Sequence, residues 1–274
     1  MYVCPDCKAP LEKLHCPKCD HRFGATDEIP ILLTRDPRFQ MAANIADAYD
    51  SIYRNQSNVW ENQGRTPEFI RYFAGQLAKY PASRYLEIGC GEAFLLAAVQ
   101  AGEKFAIDLS AQALKAAQRR TEAHYSVALA ERLPFPADHF DLVASVGVME
   151  HFLDDQEAAR EIRRVLKPGG HYVALLHVHL TFWERLSLKF SQYVFPRARP
   201  IQFTRWLVKV LMAAIDGDAA PRYVKQPIQN KYTTSSAKVS LEKNRLRVIE
   251  VIHTRRRPEL PLAGPHVVIY VAQK

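Results

Sequence analysis

The stretch Tyr85-Leu86-Glu87-Ile88-Gly89-Cys90-Gly91-Glu92-Ala93 constrains the fold more than any other part of the chain. Tyr85–Ile88 reads as a short strand carrying a carboxylate near its end. Two glycines then let the backbone turn sharply toward a ligand before a helix begins at Ala93 and runs to Gln100. Open α/β sheets bind nucleotide-like ligands at such a turn. The alternation continues with strand Phe105–Ile107 and helix Ala111–Arg120, then strand Leu142–Ser145 and helix Gln156–Val165. Lys167-Pro168-Gly169-Gly170 then turns into a strand over Tyr172–His177. Apolar strands alternating with helices predict a parallel sheet covered on both faces. Asp108, closing the second strand, is placed to accept hydrogen bonds from both hydroxyls of a ribose. Taken alone, these two elements leave a dinucleotide enzyme open.

Upstream, Met41–Tyr53 has helical spacing, with Ile45, Tyr49, Ile52 and Tyr53 on its apolar side. Thr66-Pro67-Glu68 is a helix start, a capping Thr followed by Pro in the first turn, and Phe69, Phe73 and Leu77 continue that helix. Downstream, the interval from His179 to about Tyr232 carries two apolar stripes, Phe182/Leu186/Phe190/Val194 and Phe203/Trp206/Leu207/Val210. Two amphipathic helices joined at a basic Arg197-Ala198-Arg199 corner are expected there, either packed on the sheet, closing over a hydrophobic acceptor pocket, or resting on a membrane surface. A helix over Ser235–Lys243 should stop at a left-handed Asn244. Leu246–His253 and His266–Ala272 then read as a terminal antiparallel pair, with Arg255-Arg256-Arg257 at its solvated tip.

Cys4-Pro-Asp-Cys7 and Cys16-Pro-Lys-Cys19 form two C-x2-C knuckles near the start of the chain. Each knuckle brings two thiolates within reach of one ion, and the pair completes a tetrahedral S4 site suited to zinc. Four thiolates leave no position for water, so the expected zinc is structural. His15 and His21 are bystanders. A segment this small buries too little apolar surface to fold alone, and metal binding would supply its folding energy. Ile29-Pro30-Ile31-Leu32-Leu33 reads as a strand closing this ribbon.

At 274 residues, one sizeable domain with a small appendage is the natural expectation. No stretch approaches the roughly 18 apolar residues of a membrane span, and no secretory signal pattern opens the chain, so a cytoplasmic location is expected. The net charge of +8 suits anionic partners, and the excess gathers in the last third.

The turn around Gly89 and Gly91 is tighter than G-x-G-x-x-G and has Glu87 ahead of it. Four further segments follow in order: Ala130-Glu131-Arg132-Leu133-Pro134-Phe135, Phe140-Asp141-Leu142-Val143, Val148-Met149-Glu150-His151-Phe152 and Arg164-Val165-Leu166-Lys167-Pro168-Gly169-Gly170. Together they resemble the class I S-adenosylmethionine-dependent methyltransferases, over about Tyr49 to Val178. The resemblance implies a Rossmann-like, seven-stranded, mostly parallel sheet with helices on both faces. A zinc ribbon (1–34), a linker with an N-terminal helical cap (35–65) and the methyltransferase domain (66–274) would follow one another, with 179–232 as a helical lid insertion.

It also implies roles. Glu87, Gly89, Cys90 and Gly91 would hold the methionine portion of S-adenosylmethionine, with Cys90 as packing. Asp108 would take the ribose hydroxyls, and Leu109 would lie against the adenine. Many relatives place an Asp where Leu129 stands, so that contact is either missing or supplied by the backbone around Ala130 and Glu131. Ser145 would face the methyl-transfer region, and Tyr49 and Tyr53 would cover the cofactor. His151, His177 and His179 are candidates for a general base. Gly147 stands where some relatives carry a metal-binding Glu, so no catalytic metal is expected.

Methyl transfer from a sulfonium needs alignment and a nucleophile in the right protonation state. The leading reading is transfer to an O or N atom of a small-molecule, sugar or lipid-linked acceptor. The alternative is an RNA base methyltransferase of the ribosomal guanine type, whose zinc knuckle would meet nucleic acid. A non-catalytic scaffold with the same fold is the third class.

Overall fold

The computed structural model describes residues 2–55, 66–178, 230–253 and 267–274. The candidate lid helices, His179 and Arg255-Arg256-Arg257 lie outside these residues. The elements are β1 (His15–Cys16), β2 (His21–Arg22), β3 (Gly24–Thr26), β4 (Ile29–Ile31), α1 (Met41–Asn55), α2 (Pro67–Leu77), β5 (Arg84–Ile88), α3 (Phe94–Ala98), β6 (Glu103–Asp108), α4 (Ala111–Gln118) and β7 (His124–Val127). They continue with β8 (Phe140–Val146), α5 (Asp155–Val165), β9 (Leu166–His177), α6 (Thr234–Lys243), β10 (Arg247–His253) and β11 (Val267–Gln273).

The main sheet has nine strands in the order β10-β11-β9-β8-β5-β6-β7-β4-β3. From β4 to β9 neighbouring strands run parallel, and β11, β10 and β3 are antiparallel to their neighbours. The expectation is a seven-stranded sheet; β5 to β11 belong instead to a sheet of nine. The eighth and ninth come from the cysteine segment, because Ile31 pairs with Val127 and the Leu32 N–H donates to the Val127 carbonyl (2.8 Å). The ribbon thus covers an edge that would otherwise present unpaired backbone groups.

Local sequence explains most boundaries. Thr66 Oγ1 accepts from the Phe69 N–H and Pro67 opens α2, which buries Phe73 and Leu77 against one face of the sheet. Asp154 caps α5 by accepting from the N–H groups of Gln156 and Glu157. That helix covers the other face with Ala158, Ala159, Ile162 and Val165. Each sheet face therefore carries its own apolar layer, as parallel strands require.

Several expectations shift. α3 begins at Phe94, because Ala93 is itself left-handed (φ +61°). The strand β7 is additional to the expected alternation. The segment Lys167–Gly170 belongs to the long strand β9 and adjusts through a register irregularity opposite Phe140/Leu142. Asn244 lies outside the left-handed region (φ −96°), and the left-handed residue is Arg245 (φ +58°). The Asn244 side chain is occupied instead, donating to Gln156 Oε1 and the Ser240 carbonyl. Among the described residues no helix is long and apolar enough to cross a membrane.

Candidate active site

At the C-terminal ends of β5, β6 and β8 a cleft open to solvent lies under α1. The ends of the strands supply the Gly89, Asp108 and Gly147 positions, and α1 supplies Ile45, Tyr49 and Tyr53.

Gly89 is required twice. Its φ is +67°, and a Cβ there would meet the Val148 methyls at 2.5 and 2.8 Å. Its N–H and that of Cys90 donate to the Ile107 carbonyl, at 2.8 and 3.2 Å, which ties the turn to the end of β6. Asp108 is held from both sides. Its Oδ2 accepts from the Gly91 N–H (2.8 Å) and its Oδ1 from the Ser110 N–H (2.9 Å). The carboxylate is thereby aimed by two backbone donors.

Helix α1 is fastened beside this carboxylate by Asp50. Its Oδ1 accepts from Ser110 Oγ (2.6 Å) and from the Gln112 N–H (3.1 Å) at the start of α4. Tyr49 then faces the cavity with its phenol pushed above the ordinary range, first by burial and then by the charges of Asp108 and Glu150. A neutral hydroxyl in that position suits a donor that carries its own charge.

Glu131 is 1% exposed, and its Oε1 accepts from the N–H groups of Leu153 (2.6 Å) and Asp154 (3.2 Å). Burial raises its pKa in spite of these bonds. Its side chain shapes the far wall, while Leu109, Leu129 and Ala130 give an apolar surface where a flat base could lie. The wall is backed by Leu33 and Phe39, from the segment joining the ribbon to α1.

The other expected residues are placed as follows. His151 lines the cavity. Glu87 (2% exposed) and Cys90 (3%) are buried behind the turn, and Tyr85 donates to Glu87 Oε2 at 3.4 Å. Ser145 is buried, and its Oγ shares a 2.7 Å hydrogen bond with the Tyr172 hydroxyl. His177 stands at the end of β9, outside the cavity lining, with Nδ1 2.7 Å from Glu150 Oε1. Asp50 carries no local signal in the sequence, and the segment Val148–Phe152 reads there as a motif without the contacts Val148 makes to Gly89 and Glu150 to His177.

The four ribbon thiols come together as the knuckles imply. All Sγ atoms of Cys4, Cys7, Cys16 and Cys19 lie within 4.8 Å of one another, and the Cys7 and Cys16 sulfurs are 3.5 Å apart. A tetrahedral ion with metal–sulfur bonds of about 2.3 Å fits such spacing. A hydrogen bond from Ala9 is the main reason the Cys7 thiol falls to about 7.

This is the fold of class I S-adenosylmethionine-dependent methyltransferases, and the Cys4 cluster ahead of it resembles a structural zinc site. Residues 86–174 match the family described as Methyltransferase domain. The 2-methyl-6-phytyl-1,4-hydroquinone methyltransferase of Arabidopsis thaliana is 32% identical over 57% of this chain and 49% of its own length. The demethylmenaquinone methyltransferase of Symbiobacterium thermophilum is 30% identical over 48% of this chain and 55% of its own. A ubiquinone/menaquinone biosynthesis C-methyltransferase of Vibrio vulnificus is 39% identical over 26% and 27%. The chain thus spans about half or less of the length of these relatives. Among solved structures, a chain of the Haloferax volcanii complex between the Trm112 methyltransferase activator and a methyltransferase aligns over 88% of this chain and 98% of its own. It has a TM-score of 0.54 at 16% identity. A SAM-dependent methyltransferase of Thermotoga maritima aligns over 84% and 99%, with a TM-score of 0.53 at 16% identity. Identities this low speak for the fold alone.

Proposed function

We propose that the protein is an S-adenosylmethionine-dependent methyltransferase acting on a small-molecule acceptor of the hydroquinone or phenol class, with oxygen as the acceptor atom. The observation that carries this reading is the Asp108 carboxylate, aimed by two backbone N–H groups beside a turn that only glycine can make. S-adenosylmethionine supplies an electrophilic methyl on a sulfonium. The chain's part is to hold the ribose at Asp108, seat the base against Leu109 and Leu129, keep water out with Tyr49 and Tyr53, and align the acceptor. Glu87 and the Gly89–Gly91 backbone hold the amino-acid end. The three curated relatives carry quinone-type acceptors in their names, and these support the acceptor class.

One relative is named as a C-methyltransferase. A phenolate offers an electrophile both its oxygen and its ring carbon, so the site of transfer is read directly by NMR of a 13C-methyl product. The zinc is structural in this reading, closed by four thiolates.

Calorimetry with S-adenosylhomocysteine tests the donor site. One site per chain is expected, and Asp108→Ala should weaken binding roughly ten- to a hundredfold, the worth of hydrogen bonds to a charged group. No heat from the metal-loaded protein, or equal heat from Asp108→Ala, would defeat the proposal.

A further inference from the structure

Glu150 is buried, with 5% of its side chain exposed, yet among the described residues its ion-pair partner is a single histidine, His177. A carboxylate taken out of water with so little compensation costs stability. The turn that carries it is pinned on two sides. The Gly147 N–H donates to the Leu175 carbonyl (2.9 Å), and the Asn230 N–H and Nδ2 donate to the carbonyls of Glu150 (2.6 Å) and Phe152 (2.7 Å). The carboxylate is therefore fixed in place. Oε1 lies 2.7 Å from His177 Nδ1, and Oε2 is buried with no hydrogen-bond partner among the described residues.

The imidazole is oriented differently. It is 64% exposed at the C-terminal end of β9, two residues past Leu175. That carbonyl holds Gly147, and Gly147 and Val148 form the cavity wall. The histidine therefore stands just beyond the wall, on the side of the sheet where the strand ends open. Nδ1 faces the carboxylate, which selects the tautomer with the proton on Nδ1 and leaves the Nε2 lone pair outward.

We infer that Glu150 and His177 form a general-base dyad for the acceptor, with His177 as the catalytic base and Glu150 as its positioning residue. The inference rests on the methyltransferase reading above. His177 Nε2 takes the acceptor's hydroxyl proton as the oxygen's electron pair forms the bond to the methyl carbon. The carbon–sulfur bond breaks with its pair left on sulfur, and the donor departs as a neutral thioether. The proton remains on the imidazolium, whose charge Glu150 balances. The groups facing Glu150 from other elements are Tyr49 on α1, Tyr172 on β9 and Tyr232 before α6. All three phenols are pushed up chiefly by burial, with the Glu150 charge adding to the effect. They are hydroxyl donors of low acidity, so the basic lone pair this cluster offers outward is the Nε2 of His177.

The test uses the full-length, metal-loaded protein with a panel of short-chain 1,4-hydroquinones and 4-substituted phenols of graded acidity. His177→Ala and Glu150→Gln should bind S-adenosylhomocysteine within about twofold of the parent. On weakly acidic phenols His177→Ala should lose about 10²–10⁴ in kcat, the range of general-base catalysis. The loss should shrink toward none on 4-nitrophenol, which ionises without help. Glu150→Gln should lose less, with the same dependence on phenol acidity, because the imidazole keeps its place but lacks the carboxylate that orients Nδ1. A purely structural pair would lower every phenol alike. Parallel loss across the panel, or loss of donor binding in both variants, would overturn the dyad, and so would unchanged kinetics, while the methyltransferase reading stands. If the parent methylates none of the panel yet still binds the donor, the acceptor class fails and the dyad with it.

Discussion

At the scale of single residues, the site depends on backbone shape before it depends on charge. Gly89 has φ +67° and lies under the Val148 methyls, so Gly89→Ala suffers both left-handed strain and overpacking. Each effect is worth about 1–3 kcal/mol. The variant should unfold at lower denaturant and bind S-adenosylhomocysteine more weakly. Adding Val148→Ala should return the packing part and leave the conformational part. Urea titrations of the single and double variants check this, and a fully stable Gly89→Ala would contradict the geometry. The glycine's need was legible in the sequence, since it follows from a local pattern of strand, turn and helix. The Val148 clamp was not, because the two residues meet only when β5 and β8 lie side by side. The same applies to Glu150 and His177, and to Asp50, whose work is done at the start of α4. Side chains that act across elements carry no periodicity.

Among the elements, the ribbon reads from sequence as a structural cap or a wall on the acceptor side, but the strand it pairs with is not legible there. Its buried apolar cluster is only Cys4, Cys16, Phe23 and Leu32, too little to hold a fold without the metal. Yet it is bound along β7 and the following loop. The Val3 N–H donates to Pro134 (3.0 Å), Tyr2 to the Tyr125 carbonyl (3.0 Å) and Leu32 to Val127 (2.8 Å). Beyond it, Leu33 and Phe39 back the Leu109 and Leu129 wall, and α1 hangs from the same segment. β7 and the β4–β7 pairing escaped the sequence reading because His124–Val127 is four residues long and gains its stability from a distant strand. Chelation of the zinc should therefore loosen the covered edge and weaken donor binding several-fold, with α3 and β5 little changed. Hydrogen exchange at Val127 and calorimetry with S-adenosylhomocysteine, before and after chelation, measure both effects. Donor affinity untouched by complete metal loss would reduce the ribbon to an appendage.

For the whole molecule, the ribbon and linker are also held to the body by charge, and that gives stability a pH dependence of definite sign. Lys8 Nζ lies 2.7 Å from Glu161 Oε2 on α5, and Arg164 Nε lies 2.6 Å from Glu161 Oε1. Burial alone would raise the Glu161 pKa, but Arg164 and Lys8 outweigh it and hold the carboxyl below its usual value. Beside it, Asp36 is lowered chiefly by its hydrogen bonds from Arg38. Glu157 is lowered by Arg132 and its neighbours against the pull of burial. A carboxyl with a depressed folded pKa binds fewer protons folded than unfolded in the interval between the two values. Its stabilisation is therefore complete above the unfolded pKa of about 4.3 and is lost as pH falls through the lower folded one. Glu131 runs the other way, since burial raises it and its ionised form opposes folding. The net acid slope thus mixes both signs, and one substitution separates them. Glu161→Gln should lower stability at neutral pH and flatten the loss below about pH 4.3 by up to one proton, while Glu131→Gln, which removes the opposing contribution, should steepen the net loss as pH falls toward about 4.3. Denaturation curves from pH 7 to 3 on the three proteins decide it. An acid slope unchanged in Glu161→Gln would mean that the ribbon is held by its strand pairing and metal, with the α5 charges merely lying alongside.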